Sequence, residues 1–150
     1  MPLLFPDGFL SLNGDMNIET DKFGNKYWFL NGELHREGGP AIDGISGSKE
    51  WFLNGELHRE DGPAIERTGG SKEWFLNGKR HREDGPAVEL ADGYKHWYLN
   101  GKRHREDGPA VEFPDGTKHY YLGGVKLRVK TLDGLKRKLK EFIIQEVHES

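Results

Sequence analysis

Apolar and aromatic positions recur along this chain at a fixed interval. Trp28, Trp51, Trp74 and Trp97 stand 23 residues apart, and Tyr120 falls at the next step. Each Trp sits in K-x-W-[FY]-L, whose aromatic, extended character predicts a short strand. Asn-Gly follows in the first four units, the dipeptide of a type I′ turn, which needs positive φ at both central residues. The return segment is [EK]-[LR]-H-R. Then [DG]-G-P-A-[IV] breaks the ladder at Gly-Pro and starts another short extended piece.

Four units run in constant phase from Gly24 to Asp115, and a fifth begins at Gly116 as GTKHYYLGGVKLRV before it departs. A repeat kept in phase means a stack in which each unit buries surface against its neighbours. The fold class this predicts is all-β: an elongated stack of β-hairpin repeats over residues 24–130, the last incomplete. Residues 1–23 hold a degenerate unit, PDGFLSLNGD, read as an irregular N-terminal cap. In residues 131–150 Leu132, Leu135, Leu139, Phe142, Ile143 and Val147 follow helical spacing. That segment predicts an amphipathic helix of about 15 residues with Thr131 or Asp133 as N-cap. It would lie over the last hairpin and cap the open end of the stack. A membrane-surface helix and a dimerisation helix are the alternatives.

A two-residue turn fixes register. In the second unit it pairs Leu53 with Glu56, Phe52 with Leu57, Trp51 with His58, Glu50 with Arg59 and Lys49 with Glu60. The Lys–Glu pairing recurs as Lys26–Glu37, Lys72–Glu83 and Lys95–Glu106. One face then carries Trp, Leu and His, and the other Phe or Tyr with the arginines.

Composition narrows the class. Only 34% of residues are hydrophobic while 31% are charged, and no long apolar run exists, so a membrane-spanning helix is excluded. The absence of Cys removes disulfides, thiolate metal sites and a Cys nucleophile. With no basic n-region followed by a long apolar stretch at the N-terminus, the expected location is cytoplasmic.

Candidate chemistry is sparse. His35, His58, His81 and His104 recur, but equivalent positions in successive hairpins lie about 10 Å apart, and zinc needs its nitrogens about 2.1 Å away. They read as half-buried structural residues, each opposite a Trp, and no metal is expected. In the fifth unit that slot holds Leu127 opposite Tyr120. No Gly-rich phosphate loop or serine elbow is present, and carboxylates such as Glu60 and Asp61 repeat rather than standing once in an asymmetric cleft. The expectation is therefore no enzyme and no cofactor.

The units differ in charge. Units one and two carry Glu33-Leu34 and Glu56-Leu57, units three and four Lys79-Arg80 and Lys102-Arg103, and the fifth Val125-Lys126. On the Phe/Tyr face this predicts two basic ladders, Arg80, Arg103, Lys126 and Arg82, Arg105, Arg128, beside Phe75, Tyr98 and Tyr121. Arg59 and Arg82 would face Glu50 and Glu73, whereas Arg105 and Arg128 would face His96 and His119. Residues 124–150 carry a local +3 in a chain of net charge −3. The nine ladder residues form a candidate binding strip for an acidic protein surface. Arg stacking on neighbouring rings without any partner explains the same pattern, and an exposed Phe/Tyr face also suits a homodimer. Nucleic acid is disfavoured by the negative net charge, and a membrane surface fits less well.

The stretch NGKRHREDGPAVEFPDG, from Asn100 to Gly116, resembles MORN repeats, which are also 23-residue β-hairpin units. It matches their N-G-K-x-H and closing D-G, and replaces G-x-G by R-E-D-G-P-A. The variant is similar to tandem-repeat proteins of bacteriophages and giant viruses. The resemblance implies a scaffold or partner-binding module, some MORN families being linked to anionic phospholipids. By analogy with phage proteins it implies a viral inhibitor of a host defence protein, acting in the host cytoplasm.

Overall fold

A computed structural model of the chain describes residues 14–149. The expected N-terminal turn signal begins at Asn13, so most of the predicted cap lies outside the described residues. From Met16 onward the chain is a succession of antiparallel strands ending in one helix, Leu132–Glu149. The all-β stack with a C-terminal helix is therefore what the sequence forms.

Each unit contributes two hairpins. The first turns at Asn-Gly, where Asn31, Asn54, Asn77 and Asn100 have φ of 52, 49, 49 and 48°. Its ladder holds only two Cα pairs, Phe52↔Leu57 and Leu53↔Glu56 in the second unit. The second hairpin joins [IV]-[DE] to the K-x dipeptide of the next unit, as in Ile65↔Glu73 and Glu66↔Lys72. That same [IV]-[DE] strand also pairs with the K-x of its own unit, Lys49↔Glu66 and Glu50↔Ile65. Repetition of these two pairings builds one sheet that, among the described residues, has eleven strands and runs the length of the stack.

Two expected pairings are thereby corrected. Glu50 does not face Arg59, and Lys49 does not face Glu60. Lys49 lies opposite Asp43 and Glu66 instead, and Lys72 and Lys95 each lie opposite two glutamates in the same way. Opposite charges do meet across the ladder, but the acid comes from the [IV]-[DE] strand. The physical reason is the Gly-Pro pair, which ends the return strand and sends the following residues into the long sheet.

The interior is a thin file rather than a thick core. Ala41, Ala64, Ala87 and Ala110 are fully buried, and Ile65, Val88 and Val111 nearly so. Such small residues let neighbouring units approach closely, and they account for the shortage of bulky side chains. Among the described residues no buried side-chain nitrogen or oxygen lacks a hydrogen-bond partner.

The helix seals the last hairpin. Leu135 is fully buried with Tyr120 and Leu127, and Leu122, Val129 and Leu139 pack around them. Thr131 is the N-cap, its hydroxyl accepting the Gly134 amide at 3.2 Å. Only the first turns are used in this way. Phe142, Ile143 and Val147, predicted on the same stripe, are exposed.

Candidate functional site

Phe75 faces Arg80 across one Asn-Gly hairpin, Tyr98 faces Arg103 across the next, and Tyr121 faces Lys126 across the Gly123-Gly124 hairpin that follows. The guanidinium of Arg80 lies 5.5 Å from the Phe75 ring centroid and 5.7 Å from that of Tyr98. Arg103 lies 5.8 Å from Tyr98 and 5.4 Å from Tyr121. Rings and cations thus alternate across three hairpins, so the predicted interleaving is present. In the first two units Leu34 and Leu57 take the cation's place opposite Phe29 and Phe52. The cationic strip begins where those leucines end.

The electrostatics change along the strip. Arg80 donates two hydrogen bonds to Glu73 Oε2, at 3.0 and 2.9 Å. At the equivalent of Glu73 the next unit has His96, whose ring stacks parallel to Tyr98 at 6.4 Å. Burial, followed by the charges of Arg103 and Arg80, holds His96 below the ordinary histidine value. Arg103 consequently has no carboxylate partner among the described residues, and its Nε donates to the Tyr98 hydroxyl at 3.1 Å. Its charge is held between two tyrosines and left uncompensated.

Arg82 and Arg105, from the second predicted ladder, are not on this face. Arg82 lies over Trp74 at 4.0 Å and Arg105 over Trp97 at 4.1 Å, as Arg36 does over Trp28 and Arg59 over Trp51. Alternation placed them beside the tyrosines, but alternation ends with the two-pair ladder. Arg59, Arg82 and Arg105 are hubs, while Arg36 keeps only its side-chain bond to the Pro40 carbonyl among the described residues. Arg82 Nε donates to Asp84 at 2.8 Å, and its Nη1 donates to the Pro86 carbonyl at 3.1 Å and to Glu89 at 3.0 Å. Arg59 repeats the set with Asp61, Pro63 and Glu66, and Arg105 with Asp107, Pro109 and Glu112. A Cβ at Gly85 would stand 2.9 Å from the Arg82 guanidinium carbon. Glycine therefore leaves room for the stacked cation. The motif R-E-D-G-P-A-[IV]-E encodes this hub: Asp and Glu hold the guanidinium, Pro offers its carbonyl, and Gly clears the space.

The recurring histidines join units. His35 Nδ1 accepts the backbone amide of Asn54 at 3.0 Å, His58 that of Asn77 at 3.1 Å, His81 that of Asn100 at 3.0 Å and His104 that of Gly123 at 2.9 Å. Two backbone bonds accompany each, such as Arg59 to the Phe75 carbonyl and Gly78 to the Leu57 carbonyl. Leu127 occupies the fifth slot, where no sixth turn needs an acceptor. Among the described residues no group of metal-ligating side chains converges.

Arg128 and Lys126 stand at the C-terminal end. They line a groove with Thr117, Lys118, His119 and Lys130, floored by Leu127 and Val129. Arg128 lacks the Gly-Pro cradle and, among the described residues, stacks on no ring, whereas Arg36, Arg59, Arg82 and Arg105 each precede a Gly-Pro and lie over a Trp. On the Trp side, the R-E-D-G-P loops carry exposed Glu60, Asp61, Glu83, Asp84, Glu106 and Asp107 beside shallow grooves. The Arg59 and Arg82 side chains hold Asp61 and Asp84 below the usual carboxylate range. The Arg hubs and histidine joints were missed from sequence. Their signal was the R-E-[DG]-G-P-A block repeated in four units and its loss after Arg128.

No known family model matches this chain, and no curated protein matches it in sequence. Among the described residues no helix is long and apolar enough to cross a membrane.

Proposed function

We propose that this protein is a non-enzymatic binding module that holds an acidic surface of a partner protein against Arg80, Tyr98, Arg103 and Tyr121, with Phe75 buried in the core behind Arg80. Lys126 and Arg128 extend the strip, while Arg82 and Arg105 belong to the frame beneath it. The observation that carries the reading is Arg103, a guanidinium with ring neighbours on both sides and, among the described residues, no carboxylate of its own. A carboxylate arriving there gains a charge-assisted, two-point contact. The flanking rings limit the freedom the arginine would lose on binding, which lowers the ordering cost. The likeness to phage repeat proteins supports a finer version, a viral protein that binds and inhibits a host defence protein in the host cytoplasm.

The test is affinity purification from the native host with the intact chain and with an Arg80→Glu/Arg103→Glu variant. One dominant acidic protein recovered by the first and lost by the second supports the reading. Equal recovery by both removes the strip from the interface. Binding of vesicles rich in anionic phospholipid, abolished by the same variant, would replace the protein partner with a lipid surface.

A further inference from the structure

The long sheet ends at a strand, Lys118–His119, that is paired on one side only among the described residues. In each of the first four units the K-x dipeptide is paired on both sides. Lys95 and His96, for example, lie opposite Glu89 and Val88 on one side and Glu112 and Val111 on the other. Lys118 and His119 have Glu112 and Val111 on one side. On the other, no strand lies among the described residues, and the sheet stops there.

A second observation marks the same vacancy. The amides of Trp28, Trp51, Trp74 and Trp97 each donate to the alanine carbonyl of their own unit, at 2.8 Å every time. Tyr120 holds the equivalent position, since its carbonyl accepts the Leu127 amide as each Trp carbonyl accepts a His amide. Its own amide has no backbone acceptor among the described residues, because after Arg128 the chain runs V-K-T into the helix instead of through Gly-Pro-Ala. The helix does not close the gap. It packs on Tyr120 and Leu127 through Leu135, and no helix residue lines the groove beside Lys118.

We propose that this edge captures an extended segment of a partner protein, which adds as an antiparallel strand on the outer side of Lys118–His119. The four internal pairings specify its chemistry. The residue opposite Lys26, Lys49, Lys72 and Lys95 is Asp43, Glu66, Glu89 and Glu112. The residue before that acid is Ile42, Ile65, Val88 or Val111, and the one before it is a fully buried alanine. The segment is therefore small–β-branched–acid. The carboxylate meets Lys118, with Lys126, Arg128 and Lys130 around the groove and none of the four in an ion pair among the described residues. Main-chain hydrogen bonds supply affinity in such strand addition, and side-chain pockets supply specificity. This rests on the reading above in taking the partner as a protein, but it uses a different part of the molecule.

The probe is a fluorescein-labelled peptide copying residues 107–114, DGPAVEFP, added to the full chain and followed by fluorescence anisotropy. Binding is expected, with about tenfold loss when the peptide's Glu is replaced by Lys. A Lys118→Glu chain, or Lys118→Ala should that variant misfold, is expected to lose the preference for the acidic peptide. Amide exchange at Tyr120 should slow when the peptide is bound. No binding, or binding indifferent to charge on both sides, overturns the proposal. Peptide binding lost in Arg80→Glu/Arg103→Glu but kept in Lys118→Glu also overturns it, and leaves the aromatic strip intact as an interface. Self-association of the chain alone, abolished by Lys118→Glu, would make a second copy the occupant and overturn the assignment to a partner protein.

Discussion

His58 Nδ1 accepts the backbone amide of Asn77, 19 residues ahead and in the next unit, at 3.1 Å. One imidazole nitrogen thus fixes where the following hairpin turns. A structural histidine was legible from sequence because His, unlike a zinc ligand, could not share an ion with its repeats. Its partner was not legible, because the bond crosses between units and no within-unit pattern contains it.

Replacing His58 by Leu should leave that amide without its acceptor and destabilise the fold by about 1 kcal/mol. Because a stack gains stability from nearest-neighbour interfaces, the loss should appear as a lower urea midpoint. A Leu127→His change brings no compensating gain, since the fifth slot faces no further turn and Leu127 is buried with Tyr120 and Leu135. An unchanged midpoint for His58→Leu would remove the histidine from the joint.

The arginine hub predicts coupling between Arg82 and Gly85. Gly85→Ala should cost about 1–2 kcal/mol by pushing the guanidinium off Trp74, and Arg82→Ala about 1–3 kcal/mol by removing a stacked, multiply bonded cation. Once Arg82 is gone the added methyl meets nothing crowded, so the double variant should be more stable than the sum of single losses implies. Chemical denaturation of the four proteins forms the cycle. Simple additivity would contradict the contact.

His96 sets a pH dependence. Its folded value lies below the ordinary 6.5, through burial first and the two arginines second. Below pH 6.5 the unfolded chain therefore takes up the proton before the folded one does. Stability should fall as pH drops through that window and stop falling once the folded form titrates as well. Urea unfolding of wild type and His96→Phe between pH 7.5 and 5, values chosen to bracket the ordinary histidine range, compares the slopes. Equal slopes would show that His96 does not contribute. Asp61 and Asp84, held low by Arg59 and Arg82, add a separate loss as pH falls below 3.8.

Arg80 and Arg103 should part in stability while acting together in binding. Arg80→Gln breaks the bond pair to Glu73, whereas Arg103→Gln breaks no ion pair. The first is expected to cost up to about 1 kcal/mol and the second less than about 0.5 kcal/mol. Thermal unfolding resolves the difference, and a larger cost for Arg103→Gln would mean that this arginine serves the fold.

Much of the architecture could be read from the repeat. The 23-residue period, the Asn-Gly turns, the pairs Phe52↔Leu57 and Leu53↔Glu56, and the helix over Leu135 are all as the chain implies. The reading failed from Glu50 and Arg59 outward, where strict alternation was carried past the point at which Gly-Pro ends the ladder. Arg59 instead turns onto Trp51, because a ring face and two carboxylates hold a guanidinium better than one cross-strand Glu does. Of the predicted strip, Phe75, Arg80, Tyr98, Arg103 and Tyr121 come together, and Lys126 and Arg128 line the end groove. Arg82 and Arg105 face the other way for the reason that moved Arg59. The open edge at Lys118 was missed because a strand's second partner is visible only when both neighbours are in view.

The most direct measurement is the set of arginine Nε–H signals of the labelled chain, recorded before and after adding the captured partner protein. Signals of Arg80 and Arg103 should shift while those of Arg59, Arg82 and Arg105 stay in place. Shifts confined to the three arginines over tryptophan would put the partner on the acidic side and end the case for the ring-and-cation strip.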